Sequence, residues 1–176
     1  MRVRPAVPRD LKACRALDHA YMTDHVWQME MHEEGQGWSV AFRVAPLPRE
    51  VCVDYPRQGE DLETGWQHRD AFLIAEEGRV VCGYVALAVE VEHKIARIED
   101  LVVDQSRRRH GIGTMLLRAA AQWAKEHELT RLSMAVQTKN YPAIKFCQAR
   151  GLSFYGYNDH YWKNQDIALF FGESLR

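Results

Sequence analysis

The sequence predicts an α+β fold, and three observations lead to this prediction. Segments rich in β-branched and aromatic residues recur along most of the chain and are separated by short turns. The apolar spacing of a helix occurs in only a few places, most clearly after residue 111. Strands and helices are mixed without the strict alternation of a parallel α/β sheet. The length of 176 residues fits one domain, so residues 1–176 are expected to form a single unit.

Residues 1–70 are predicted to contain a short strand, a helix and a long hairpin. Met1–Ala6 is the strand, and Pro8 opens the helix because its missing N–H is harmless in a first turn. Helical spacing continues through Leu11, Cys14, Leu17 and Tyr21. Strand-like residues then run from 21 to 57, with a hairpin turn at 33–37 and a further short strand at 51–55. Residues 58–70 are polar and acidic, which predicts a loop or a short helix.

Residues 71–176 show a clearer order of elements. Three β-rich segments at 71–75, 80–91 and 94–104 are joined by tight turns and predict an antiparallel meander. An amphipathic helix begins at Ile112, and a strand follows at 131–136. A short helix spans 142–150, with Asn140 near its start and Gly151 as its C-terminal cap. Two strands, at 153–162 and 167–171, end the sequence.

The composition argues against several classes of function. The chain carries 23 basic and 24 acidic residues, so no general affinity for nucleic acid is indicated. No apolar run approaches the ~20 residues of a membrane helix, and no apolar segment follows the basic N-terminus as in a signal peptide. The four cysteines lie far apart without metal-ligand spacing. We therefore expect a cytoplasmic protein with reduced thiols and no metal.

The most informative stretch is residues 98–114, where a buried strand leads through a glycine loop into an amphipathic helix. Glycines allow the backbone to approach a ligand closely, and N–H groups at a helix N-terminus attract an anion. Arg107, Arg108 and Arg109 add positive charge, so the stretch predicts a pyrophosphate cradle. A P-loop is disfavoured because Gly113-Thr114 lacks the lysine. A Rossmann fingerprint is disfavoured because Leu116 replaces the third glycine.

These residues resemble the GNAT superfamily of N-acetyltransferases. The family signature Arg/Gln-x-x-Gly-x-Gly/Ala is matched by residues 108–113, with the Leu-x-Val strand end at 101–103 upstream. Within the superfamily the chain resembles the streptothricin acetyltransferases, through an Ile-Glu-Asp strand at 98–100 and a Trp-Ala-Lys-Glu helix end at 123–126. The resemblance implies a mixed sheet, mainly antiparallel with one splayed parallel pair, flanked by helices. It also implies an acceptor-side half at 1–70 and an acetyl-CoA-binding half at 71–176.

The resemblance implies how acetyl-CoA is bound. The cofactor is expected in a gap between the strands that end near residues 103 and 136. Backbone N–H groups near Leu101 would polarise the thioester carbonyl, and the backbone at Val103 would pair with the pantetheine arm. The expected cofactor-binding residues are Leu101, Val102, Val103, Arg108, Arg109, His110, Gly111, Ile112, Gly113, Thr114 and Asn140.

The resemblance also indicates candidate catalytic residues. The acceptor amine must lose a proton, so a carboxylate acting directly or through water is expected. Asp100 and Glu99 are the candidates, with Asp100 preferred, and strand alternation predicts that they lie on opposite faces. The tyrosine that often protonates the CoA thiolate in this family aligns with Cys147, which is a weak acid or a core residue. Tyr155, Tyr157, Tyr161 or solvent are the other possible proton donors.

The acceptor is expected to be a primary amine of a small cationic molecule, because the strand at Glu99-Asp100 is acidic. Trp27, Asp159 and Tyr161 are the expected substrate contacts. A protein N-terminal or lysine acetyltransferase, and a CoA-binding module without turnover, remain as alternatives. A homodimer through the apolar strand at 167–171 is a further expectation.

Overall fold

The computed structural model describes residues 1–57, 62 and 65–176. Their helices are α1 (Leu11–Arg15), α2 (Ile112–Glu126) and α3 (Tyr141–Ala149). Their strands are β1 (Arg2–Pro5), β2 (Tyr21–Glu34), β3 (Gly37–Val53), β4 (Ala71–Glu77), β5 (Val80–Glu90), β6 (Ile95–Val103), β7 (Arg131–Gln137), β8 (Ser153–Asn158) and β9 (Ala168–Ser174). The predicted α+β class is confirmed.

Seven strands form one sheet in the order β1-β4-β5-β6-β7-β9-β8. The pair β6–β7 is parallel, whereas the other neighbours are antiparallel. The long strands β2 and β3 form a separate two-stranded sheet. The predicted meander at β4–β6 and the predicted hairpin are therefore both present, and the mixed sheet with a parallel pair is confirmed.

The sheet separates two apolar clusters. The larger cluster joins β4–β7 and β9 to the buried faces of α2 and α3, with Leu116, Ala120 and Ile144 fully buried. The smaller cluster covers the other face and includes Cys14 of α1 and Leu17 just after it, together with Phe72 and Tyr84. The apolar stripe predicted on α2 explains its docking, because the residues at helical spacing face the sheet.

Three expectations about elements are corrected. Tyr21 does not continue the first helix but begins β2, because α1 ends at Arg15. Residues 51–53 belong to β3 and are not a separate strand. The strand proposed for a dimer, β9, is paired on both sides by β7 and β8, so neither of its edges is open to a second copy.

In the segment predicted as a loop or short helix, Trp66–His68 form one 3₁₀ turn, while residues 58–61, 63 and 64 lie outside the described part. Over the described residues, no helix has the length and apolar character needed to cross a membrane.

Candidate active site

The parallel pair opens into a gap at its C-terminal end. β6 and β7 pair only from Ile95–Arg131 to Ile98–Met134, although β6 continues to Val103 and β7 to Gln137. Beyond Ile98, residues 100–103 of β6 keep their partners on β5, and residues 99–103 have no strand partner among the described residues on the β7 side. Main-chain N–H and C=O groups that lose strand pairing need other partners. The gap therefore presents main-chain hydrogen-bonding groups to a ligand.

A large cleft of about 650 Å³ starts at this gap and extends along the N-terminus of α2 and one side of α3. It is lined by ten of the eleven residues that the sequence analysis assigned to the cofactor, namely Leu101, Val102, Val103, Arg108, Arg109, Gly111, Ile112, Gly113, Thr114 and Asn140. The eleventh, His110, does not line the cleft, and its Nδ1 lies 2.8 Å from the carbonyl oxygen of Arg108.

Two glycines shape the loop at the start of α2. Gly111 is the N-cap and has φ +81°, a conformation that side chains other than glycine rarely adopt. A Cβ on Gly113 would lie 3.5 Å from the Phe146 ring, so this glycine sits close under α3. The first N–H groups of α2 have no partners within the helix and carry the positive end of its dipole. The loop therefore has the chemistry of an anion cradle.

The three loop arginines differ in what they contact. Arg107 forms an ion pair with Glu77 at 2.6 Å. Arg108 donates to the carbonyl oxygens of Val103 at 3.0 Å and Asp18 at 2.8 Å, so it ties the loop to β6. Arg109 makes no hydrogen bond or ion pair to the described residues and lines the cleft. Its guanidinium is thus available to an anionic ligand.

Helix α3 and its C-cap bring two cations to the cleft that the sequence analysis missed, Lys145 in the helix and Arg150 at the cap. They lie with Pro142, Phe146 and Ala149 on the side of the helix that faces the cleft. The signal was present in the i, i+3, i+4 spacing of these residues. Which side of the helix would be solvent-exposed depends on packing against β2, and this was not evident from the sequence.

A small pocket of about 60 Å³ lies on the other side of the gap. Its polar lining includes Arg57, Arg97, Glu99 and Tyr161. Five residues line both the large cleft and the small pocket, and we call them the junction: Tyr55, Leu101, Met134, Asn140 and Ala143. A group held in the cleft and a group held in the pocket can meet at this junction.

Glu99 is held by arginines in the small pocket. Its carboxylate forms ion pairs with Arg57 and Arg97, and Arg69 Nη1 lies 3.4 Å from it. Burial alone would raise the pKa of Glu99, but the charges and hydrogen bonds of Arg57 and Arg97 outweigh burial and hold the pKa below its usual value. Glu99 is therefore ionised at neutral pH and is a weak base.

Asp100 lies inside the structure and lines neither cavity. Its Oδ1 accepts a hydrogen bond of 2.9 Å from the Tyr55 hydroxyl, and its Oδ2 lies 3.9 Å from Arg69. Burial raises the pKa of Asp100 above its usual value, against the lowering effect of Arg57 and of the Tyr55 hydrogen bond. Among the hydrogen bonds of the described residues, the one from Tyr55 connects Asp100 to the junction.

The expectation that Glu99 and Asp100 lie on opposite faces is wrong. Asp100 pairs with Ala86 and Ile98 pairs with Leu87, so Glu99 is an extra residue in β6. Such a β-bulge interrupts the alternation of side chains and re-aims them. The two carboxylates consequently both come within 4 Å of the Arg69 guanidinium.

Cys147, the residue aligned with the family tyrosine, belongs to the apolar core. It has no exposed surface, its Sγ lies 3.6 Å from Met134 Sδ, and it lines neither cavity. Burial raises the pKa of its thiol to about 12. The position of the side chain, on the core face of α3, supports the core role among the two that the sequence analysis left open.

The three expected acceptor contacts are not brought together. Tyr161 lines the small pocket, and its ring packs edge-on against Phe170. Trp27 packs against the larger core cluster instead, with its indole N–H buried and without a partner among the described residues. Asp159 is exposed, with its carboxylate 3.1 Å from His160 Nδ1. Trp27 and Asp159 line neither cavity.

No group of three or more His, Cys, Asp or Glu side chains in the described part of the chain is arranged to hold a metal ion.

Comparison with known proteins relates this architecture to acetyl transfer. A model of the acetyltransferase (GNAT) family matches residues 19–152. The streptothricin acetyltransferase of Streptomyces lavendulae is 29% identical over 158 residues, which cover 87% of this chain and 82% of that protein.

Solved structures share the fold. A crystal structure of nourseothricin acetyltransferase superposes with a TM-score of 0.83 at 22% identity, covering 99% of this chain and 98% of the other. An acetyltransferase of Bacillus anthracis str. Ames, solved in complex with acetyl coenzyme A, superposes with a TM-score of 0.78 at 21% identity, covering 98% of each chain. The similarity to both structures extends over nearly the whole chain.

Proposed function

The chain belongs to the GNAT family of acetyl-CoA-dependent N-acetyltransferases, and on this premise we propose that it acetylates a primary amine of a small cationic molecule by direct attack in a ternary complex. The observation that carries the proposal is the junction, where a cleft with an anion cradle meets a separate polar pocket.

The large cleft fits acetyl-CoA by its chemistry. The pyrophosphate would lie against the N–H groups at the start of α2, next to Gly111 and Gly113. Arg109, Lys145 and Arg150 would add the positive charge that phosphates require. Arg108 would act indirectly, because its guanidinium already binds two carbonyl oxygens and fixes the loop on β6.

The open edge of β6 would position the reactive end of the cofactor. Acetyl-CoA supplies an activated acetyl group as a thioester. The main chain at Val103 would pair with the pantetheine arm as a further strand partner, and an N–H near Leu101 would stabilise negative charge on the carbonyl oxygen. Removing one such donor typically costs about 100-fold or more in rate in other enzymes.

The small pocket would receive the amine. Glu99 offers a carboxylate for its N–H groups, while Arg57 and Arg97 neutralise that carboxylate. Nearby arginines disfavour a protonated ammonium group, and the neutral amine is the form that attacks a thioester. The pocket has space for an amine and the carbons next to it, so the cationic remainder of the molecule would lie outside.

The proposal also assigns roles to the three residues that are candidates for proton transfer. Glu99 touches the pocket, but its arginine partners lower its pKa, so we assign it to binding the amine. Asp100 has the raised pKa that suits a base, but it has no direct access to the pocket. Cys147 is assigned to the core and not to protonation of the thiolate.

The proposal is tested by CoA release from acetyl-CoA over a panel of amines. The panel contains polyamines, a streptothricin antibiotic, neutral amines, amines that carry a carboxylate, and peptides with free N-termini or lysines. Turnover confined to cationic small amines is the expected result. The control is Trp38→Ala, at an exposed side chain of β3 outside both cavities, which should leave turnover unchanged.

Other outcomes identify the alternatives. Preference for peptides would contradict the small-molecule proposal and favour a protein acetyltransferase. Turnover only on amines with a carboxylate would contradict the cationic substrate. Binding of acetyl-CoA without product from any amine would contradict acetyl transfer and leave a CoA-binding module.

A further inference from the structure

We propose that Tyr55 relays a proton between the reacting atoms and Asp100, taking it from the attacking nitrogen and delivering it to the departing sulfur. This inference rests on the acetyl transfer proposed above and supplies the proton donor that Cys147, buried in the core, does not. Tyr55 would be a catalytic residue, and Asp100 would act through it as a positioning and proton-holding residue.

The first argument is the location of Tyr55. It is one of the five junction residues, where the thioester from the cleft and the amine from the pocket must meet. Leu101, Met134 and Ala143 have no proton to exchange, and the Asn140 oxygen already accepts the Ala143 N–H at 3.1 Å as a helix cap. The Tyr55 hydroxyl is therefore the junction side-chain group that can exchange a proton. Burial and the charge of Asp100 raise the pKa of Tyr55, so its proton has to move together with that of Asp100.

The second argument is the contact between Tyr55 and Asp100. The hydroxyl donates to Asp100 Oδ1 at 2.9 Å, so its own lone pairs are directed away from the carboxylate. Asp100 is buried beneath the junction with a side-chain exposure of 5%. A proton that Asp100 exchanges with the substrates passes through the phenol. Burial raises the pKa of Asp100, which makes it better able to hold a proton for a short time.

Formation of the C–N bond and cleavage of the C–S bond are each coupled to a proton transfer through Tyr55. The lone pair of the neutral amine forms the C–N bond, and the carbonyl π pair moves to oxygen, which leaves an N–H proton on a positive nitrogen. The Tyr55 oxygen accepts this proton as its own proton moves to Asp100. The oxygen lone pair then re-forms the carbonyl π bond as the C–S bond breaks, and the electron pair of that bond stays on sulfur. The phenol gives its proton to the sulfur, and Asp100 returns its proton to the phenol. Tyr55 and Asp100 end unchanged.

The charges around Asp100 determine what a pH profile reports. Arg57 and Arg69 face it, and the pKa of Glu99, a third charged neighbour, lies below its usual value. Tyr84 lies on the far side with a strongly raised pKa, and His19 Nε2 contacts the Tyr84 hydroxyl at 3.0 Å. A fall in kcat on the acidic side of the pH profile, centred above the usual pKa of aspartate, is what we call the acid limb. It reports Asp100 if it disappears in Tyr55→Phe and persists in Tyr84→Phe.

The test uses four variants of the full chain, with kcat measured over pH and acetyl-CoA binding measured by calorimetry. We expect kcat to fall about 100-fold in Tyr55→Phe and in Asp100→Asn, with acetyl-CoA affinity unchanged, as for loss of a proton-transfer group. The double variant should be no worse than either single variant, because the two groups act as a unit. The acid limb of wild type should be absent from these variants. Tyr84→Phe, which removes a neighbouring buried hydroxyl outside both cavities, is the matched control and should stay within a few-fold.

A kcat near that of wild type in Tyr55→Phe would overturn the relay. So would a fall in kcat in the double variant equal to the product of the falls in the two single variants. If Tyr55→Phe does not fold, as shown by the loss of a cooperative denaturant unfolding transition, then Asp100→Asn decides alone: unchanged kcat and an unchanged acid limb would overturn the proposal. Absence of turnover in wild type on every amine would instead refute the proposed function, so the two failures are distinguishable.

Discussion

Glu99 and Asp100 are sequence neighbours with opposite electrostatic environments. Arginine partners outweigh burial at Glu99, whereas burial outweighs its arginine neighbours at Asp100. The difference arises because Glu99 forms close ion pairs with Arg57 and Arg97, while the nearest arginine nitrogen to Asp100 is 3.9 Å away. Two adjacent carboxylates whose pKa values are pushed apart suit two different roles, one in binding and one in proton transfer.

The Glu99 ion pairs predict a pH-dependent stability. A lowered pKa in the folded state means that the unfolded chain binds more protons below the usual value of 4.5, so the stabilisation is present above that pH and is lost as the pH falls. We expect Glu99→Gln to lower the free energy of unfolding at pH 7 by about 2 kcal/mol. Denaturant unfolding should show this difference shrinking on acidification. The charge of Glu99 helps to raise the pKa of Asp100, which acts in the opposite sense, so relief of this effect in Glu99→Gln makes the observed difference smaller.

Glu30→Gln is the control for this prediction. Glu30 pairs with Arg43 at 3.1 Å on the surface, where an ion pair contributes only about 0–1 kcal/mol. The free energy of unfolding of Glu30→Gln should differ little from that of wild type, and this difference should be nearly independent of pH. A Glu99→Gln difference that stays constant between pH 7 and pH 4 would contradict the electrostatic account.

At the residue scale, the sequence indicated the cofactor loop well and the acceptor side poorly. Ten of the eleven predicted cofactor residues lie on the cleft, because all but Asn140 come from one short stretch, residues 101–114, whose spacing carries the chemistry. The contact between Tyr55 and Asp100 spans 45 residues and leaves no periodic signal. Trp27 was predicted to contact the substrate but packs against the core. Its residue type did not decide between the two, because an aromatic residue packs against a core as readily as against a ligand.

At the element scale, two irregularities of β6 create the site. Its pairing with β7 stops at Ile98, which opens the gap, and the bulge at Glu99 turns both carboxylates toward the same arginine. The helix, the strands and the turn of the loop motif were predictable from local patterns. The bulge was not, because it depends on the register with β5, which no local pattern reports.

Gly83 on β5 packs closely against Val102 and Val103 of β6, which line the large cleft. A Cβ at this position would lie 2.5 Å from the Val102 carbonyl oxygen, so an alanine must push β6 away. We expect Gly83→Ala to destabilise the fold by about 1–3 kcal/mol, as overpacking does, and to weaken acetyl-CoA binding. Denaturant unfolding and calorimetry measure the two effects.

Gly156→Ala on β8 is the matched strand control. Its Cβ would lie at an ordinary 3.8 Å from the Phe170 ring, so both quantities should remain near wild type. Equal behaviour of Gly83→Ala and Gly156→Ala would contradict the close approach of β5 to β6.

At the scale of the whole molecule, the site is assembled from parts distant in sequence. The backbone N–H of Trp27 donates to Thr138 O at 2.8 Å, and His25 stacks on Tyr141 with ring centroids 4.8 Å apart. These contacts dock the β2–β3 hairpin on α3 and on the loop before it. The first half of the chain thereby supplies His19, Tyr21 and Tyr55 to a cleft whose other lining residues come from the second half.

The central claim, that this cleft binds acetyl-CoA, is tested most directly by calorimetric titration of acetyl-CoA into wild type, Gly111→Glu and Gly35→Glu. Both glycines have positive φ and open space at Cβ, but only Gly111 lies in the cleft, so the backbone strain is matched. We predict binding of about micromolar affinity to wild type and Gly35→Glu, lost in Gly111→Glu. Equal binding by all three proteins, or no binding to wild type, would contradict the assignment of the cleft.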